Sequence, residues 1–113
     1  MLYEGFMIHH SFCSSMDGKG YDFWISKDAS VIAAPVLSDN EYIHICLEGY
    51  FNLEYERMSA NAKHQLFTAS KLIMELSNLY NISPLFLQPH SQICPGSHFP
   101  WNELVIYPVD GYH

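Results

Sequence analysis

Residues 59–81, SANAKHQLFTASKLIMELSNLYN, decide the fold. Ala62, Leu66, Ala69, Ile73, Leu76 and Tyr80 recur at intervals of three and four, while Lys63, Gln65, Lys71 and Glu75 fall on the other side. That is the period of an amphipathic helix. Ser59 stands where an N-cap belongs, and Asn81, close to Pro84, marks the end. The stretch therefore predicts one helix of about six turns at 3.6 residues each.

Upstream of the helix the period changes to that of strands. Leu2 to Ile8, Tyr21 to Ser26, Ser30 to Pro35 and Tyr42 to Leu47 are short runs rich in aromatic and β-branched residues. Turn signals separate them at Asp17-Gly18, Lys27-Asp28 and Ser38-Asp39-Asn40. YDFWIS and SVIAAP, on either side of Lys27-Asp28-Ala29, have the spacing of a hairpin. After the helix, PLFLQP reads as a short strand closed by Pro89 that delivers His90 to a loop, and Pro95, Gly96 and Pro100 keep the next segment irregular. The expected class is α/β: a central mixed sheet packed against one long helix, formed by a single domain over residues 1–113.

Composition narrows the functions. The chain has 113 residues, 49% hydrophobic and 15% charged, enough apolar material for one packed interior. Twelve acidic against five basic side chains give a formal charge of -7, which repels phosphate backbones and anionic lipid surfaces and argues against nucleic acid or membrane as partner. No window reaches the roughly 20 apolar residues of a membrane span, and the start lacks the basic and apolar pattern of a secretory signal, so synthesis in the cytosol is expected. Cys13, Cys46 and Cys94 are odd in number and widely spaced, which fits a reduced compartment or a metal-held thiolate better than a disulfide framework.

Three side chains are candidate ligands of a soft metal. His9 ends the apolar run FMIHHS, and His90 and Cys94 lie four apart in PHSQICPGSHFPW. Three ligands of mixed His and Cys type leave one tetrahedral position on zinc for water, as a hydrolytic site requires. Taken singly, His9 reads as an ordinary strand-end histidine and Cys94 as a buried free thiol, while the adjacent His10 belongs to the opposite strand face. Glu54, Glu56 and Arg57 read as a solvated turn, and the methionines as filler.

In that order the segments resemble the type-2 zinc N-acetylmuramoyl-L-alanine amidases, a family that includes phage T7-type lysozyme, recycling amidases and peptidoglycan recognition proteins. IHHS is similar to the family's first-strand ligand motif, GYDFWISKDASV to its GYHF hairpin, and PHSQICPGSHFPW to its His-loop-Cys-Pro-Gly-x-x-Phe-Pro-Trp segment. YIHICLEG and the helix also sit where the family has a strand and a long helix. The resemblance implies zinc held by His9, His90 and Cys94, with Tyr21 beside the metal. It implies an endolysin-like hydrolase that cuts the amide between the lactyl group of muramic acid and L-alanine in peptidoglycan or a muropeptide, reaching the wall after release. The chain departs from the pattern in its short stretch between His10 and Tyr21, in its short loop between His90 and Cys94 without a lysine, in Asp22 for the histidine of GYHF, and in His44 for a common glycine. His98 is the nearest titratable group to protonate the leaving amine, ahead of Lys19 and Glu48. Two other readings stand beside this one: an amidase-fold module that binds a muropeptide or other small ligand without cutting it, and a metal-free thiol hydrolase built on Cys94 with His90 or His98.

Overall fold

The computed structural model describes residues 3–11, 21–34, 41–89 and 94–105. In chain order its elements are β1 (Gly5–His10), β2 (Phe23–Ile25), β3 (Val31–Ala33), β4 (Tyr42–Leu47), α1 (Ala60–Tyr80) and β5 (Leu87–Pro89), with single-turn 3₁₀ segments at Tyr55–Arg57 and Trp101–Leu104. The strands form one mixed sheet in the order β3-β2-β4-β1-β5. β1 pairs in parallel with β4 on one side and β5 on the other, β2 pairs in parallel with β4, and only the β2–β3 hairpin is antiparallel. The α/β class and the hairpin are as the periodicities predict.

Register assigns the faces. Met7 lies opposite His44, Ile8 opposite Ile45 and His9 opposite Cys46. Because successive side chains alternate, Phe6, Ile8, Ile43, Ile45 and Leu47 share one face, and Met7, His9, His44 and Cys46 share the other. The first set, joined by Ile25, is fully buried and packs with Leu66, Ala69, Leu72, Ile73 and Leu76 of α1. Each such aliphatic side chain contributes about 1.5–3 kcal/mol by leaving water, so α1 is held mainly by this seam.

Local chemistry sets the ends of α1. The Ser59 hydroxyl accepts the Ala62 amide at 3.1 Å, satisfying one of the orphan donors of the first turn. At the other end Asn81 takes the left-handed conformation, and the Ile82 amide closes back on Ser77 O at 3.0 Å, as in helices stopped by a left-handed residue.

Two expectations are corrected. Gln65, placed on the polar side of the helix by its period, is buried: its amide donates to Ile25 O at 3.1 Å and Glu48 O at 2.9 Å, capping the ends of β2 and β4 where their ladders stop. The strand expected over PLFLQP is confined to Leu87–Pro89, because Ser83 and Pro84 turn the chain and Phe86 N–H bonds back to Ser83 O at 3.2 Å, leaving Leu85 and Phe86 exposed. Gly5 permits the close approach of this segment to β1: a Cβ there would lie 2.5 Å from Phe86 O.

Candidate active site

The carboxyl end of β1 places two histidines on opposite faces. His10 turns toward the α1 side, where its Nδ1 accepts the Phe51 amide at 3.0 Å. Burial pushes its pKa below the ordinary histidine value, consistent with a neutral ring that accepts. Its role is to fix the chain that leaves β4. Ser11 adds a second fastening, since its hydroxyl accepts the Gly49 amide at 2.7 Å.

His9 points the other way, into a cluster of rings. Its Nε2 lies 2.9 Å from His44 Nδ1, its ring centroid is 5.2 Å from that of His44, and the edge-on Tyr21 ring is 5.6 Å away. Trp24 continues the row, 5.5 Å from Tyr21. Tyr21, inferred from the resemblance, is thus beside His9 in space. His44 and Trp24 are additions. The signal for both is the alternation of β4 and β2, which turns them to the side away from Ile43, Ile45 and Ile25, but the pairing of His44 with His9 follows only from the β1–β4 register.

Behind His44 stands Asp22, almost wholly buried at 1% exposure. Its carboxylate accepts the His44 amide at 2.8 Å, and its own amide donates to His44 O at 3.0 Å. Both main-chain groups of His44 are therefore held by Asp22, the residue just before β2.

Cys94 arrives from the far end of the sequence. Its buried Sγ is 4.0 Å from the carbonyl oxygen of His10, so the thiol meets the same strand end that carries His9. The loop that brings it is clasped by Asn52. Asn52 Oδ1 accepts the His98 amide at 2.8 Å, and Gly96, at φ +110°, lies so close that a Cβ would fall 2.1 Å from Asn52 Cγ. Only glycine combines that backbone angle with that approach. Phe99 then inserts beside Phe51 and Trp101, with ring centroids at 6.4 and 4.8 Å. The CPGSHFPW segment is in this respect an anchor for the thiol.

The remaining expected residues fall elsewhere. His98 is exposed and lines a cleft of about 460 Å³ with Glu54, Glu56, Trp101 and Glu103. Glu48 Oε1 accepts the Lys27 amide at 3.0 Å, which engages it at the β2–β3 turn. His90, Lys19 and Cys13 lie outside the described residues. Among the described residues no group of three His, Cys, Asp or Glu side chains is arranged to hold a metal ion. His9 and Cys94 are nevertheless borderline-soft donors of the kind zinc takes, delivered to one strand end.

No family model and no curated protein sequence matches the chain. Among solved structures, the N-acetylmuramoyl-L-alanine amidase LysC from Clostridium intestinale URNW is similar over 90% of this chain and 82% of its own, with a TM-score of 0.63 and 24% identity. The endolysin N-acetylmuramoyl-L-alanine amidase LysCS from the same organism is similar over 90% and 80%, with a TM-score of 0.62 and 24% identity. At that identity the likeness establishes a shared fold.

Proposed function

We propose that this chain is a zinc-dependent hydrolase that cleaves the amide between N-acetylmuramic acid and L-alanine in peptidoglycan or soluble muropeptides. One observation carries the reading: the thiol of Cys94 lies against the carbonyl of His10, the residue next to His9 at the carboxyl end of β1, in a chain similar in fold over 90% of its length to a solved amidase. Carboxyl ends of strands in open α/β sheets are where ligands of such folds bind.

In this proposal His9, Cys94 and His90 hold the ion. Bound zinc supplies a Lewis acid for the scissile carbonyl and lowers the pKa of coordinated water toward about 7. Tyr21, next to His9, donates its phenolic hydrogen to the oxygen that gains charge. Trp24 extends the apolar wall beside it and limits water. The amine that leaves must be protonated, and His98 is assigned that task; its position in the Asn52-clasped loop ties it to the segment that delivers Cys94. Wall material after release is the proposed place of action.

Incubating the purified protein with a muropeptide and weighing the products tests the reading. Release of the free stem peptide, its loss with a chelator and its return on adding zinc are expected, with turnover by His98→Ala reduced about a hundredfold or more. Bound muropeptide with no cleavage at full zinc loading would select a binding module instead. Turnover indifferent to chelator would select a thiol hydrolase.

A further inference from the structure

We infer that His44 is a positioning residue that decides which nitrogen of His9 faces a metal ion. The inference rests on the zinc reading above and adds to it a partner that the ligand set alone does not contain.

A neutral imidazole carries one N–H and one lone pair, on different nitrogens. A hydrogen bond between two such rings therefore fixes the tautomer of both. His9 Nε2 and His44 Nδ1 are 2.9 Å apart, with the rings tilted by 34°. If His9 Nε2 carries the hydrogen and donates, its Nδ1 keeps the lone pair and can ligate. If His44 Nδ1 carries it, His9 holds its own hydrogen on Nδ1 and that nitrogen cannot bind a cation. Ligating histidines as a rule donate their other N–H to a neighbouring acceptor, which orients the ring and raises its basicity. His44 Nδ1 is in place to be that acceptor.

The acceptor is itself held. Asp22 Oδ2 takes the His44 amide at 2.8 Å, and Asp22 N–H reaches His44 O at 3.0 Å, so the main chain from which the ring swings is pinned to the residue that leads into β2. Asp22 and His44 are two of the places where this sequence departs from the pattern it resembles, and the fold joins them by a pair of hydrogen bonds. The two departures are a single unit: a buried carboxylate that locks a backbone, and a ring on that backbone that orients the first ligand.

Two measurements test this. Long-range proton–nitrogen NMR correlation on the zinc-free wild-type protein, well above the ordinary histidine pKa, should show His9 with its hydrogen on Nε2 and His44 with an unprotonated Nδ1. His9 found with its hydrogen on Nδ1 would overturn the inference without any variant. Zinc affinity, read by competition with a chromogenic chelator, should fall about 10–100-fold in His44→Phe, which keeps the ring but not the acceptor. His44→Asn, whose Oδ1 can stand in for Nδ1, should recover most of that loss. Equal affinity in wild type and His44→Phe would overturn the inference. Should wild type bind no zinc at all, the amidase reading falls, and the tautomer spectrum still decides whether His44 governs His9. If His44→Phe does not fold, the spectrum decides, together with the zinc affinity of His44→Asn measured against that of His44→Ala.

Discussion

The two faces of the central sheet are built from neighbouring residues of the same strands, yet they hold different chemistry. Beneath α1 lie Phe6, Ile8, Ile25, Ile43, Ile45 and Leu47, an aliphatic and aromatic seam whose members are interchangeable in kind. On the far face lie His9, His44, Cys46 and Trp24, where rings and a thiol are placed one by one and few could be exchanged. His9 and His10 make the contrast within a single dipeptide. His10 serves the first face by accepting a buried amide, and His9 serves the second by meeting Tyr21 and His44. A sheet can thus devote one face to stability and reserve the other for a site, provided that register is secure, because a one-residue slip would exchange the two sets.

The largest effect should come from the seam. Ile45→Ala removes a fully buried branched side chain against α1 and should cost about 2–5 kcal/mol of unfolding free energy, measured by denaturant titration. A loss well under that range would mean that the two faces differ less than their packing indicates. Next, His10→Phe leaves the Phe51 amide buried without an acceptor and should cost about 1–3 kcal/mol. His9→Phe should cost less, since its partner His44 is only half-buried and can turn to water, and should instead abolish zinc binding. Reversal of that order in thermal melts would break the division of labour.

Ser59→Ala sharpens the comparison by loosening the helix that covers one face only. Loss of the bond to Ala62 should cost about 1 kcal/mol, with zinc affinity unchanged. The smallest effect lies in the β2–β3 turn, away from both faces. The Asp28 carboxyl is held below its usual range by hydrogen bonds from the side chains of Ser26 and Ser30 and from the Ser30 amide. Its contribution is present above the ordinary carboxylate pKa and is lost as pH falls through the lower folded value. An NMR titration of the Ser30 amide should show a midpoint under the usual carboxylate value, while the chemical shifts of α1 stay still. A midpoint at the usual value would mean that the turn does not hold the carboxylate.

The seam is legible because it is written as period: alternation in IHHS and YIHICL, and three-four spacing from Ala62 to Tyr80. Ser59 and Asn81 announce themselves by type and place. Gln65 does not, because its polar side chain suits solvent by composition and is drawn inward only by two carbonyls that appear once β2 and β4 have stopped. On the far face Tyr21 is read through resemblance, and the structure puts it beside His9. The pairing of His44 with His9 is not legible, since it joins residues 35 apart in sequence and exists only in one strand register. The Asn52 clasp on Gly96 and His98 is hidden for the same reason: a tertiary approach leaves no local period.

The order of the strands has a consequence for how the molecule comes into being. β1 precedes the other described strands in the chain, but it lies between β4 and β5, and its second neighbour is complete only when Pro89 has been added. A nascent chain that stops short of that point carries a half-flanked β1 with an unmet row of amides and carbonyls, which any other extended segment could pair with. Such distant pairings are slow to form. The strand that bears His9 is thus exposed to mispairing for much of translation, and protection of β1 amides from hydrogen exchange should rise late, together with that of the Leu87 and Gln88 amides.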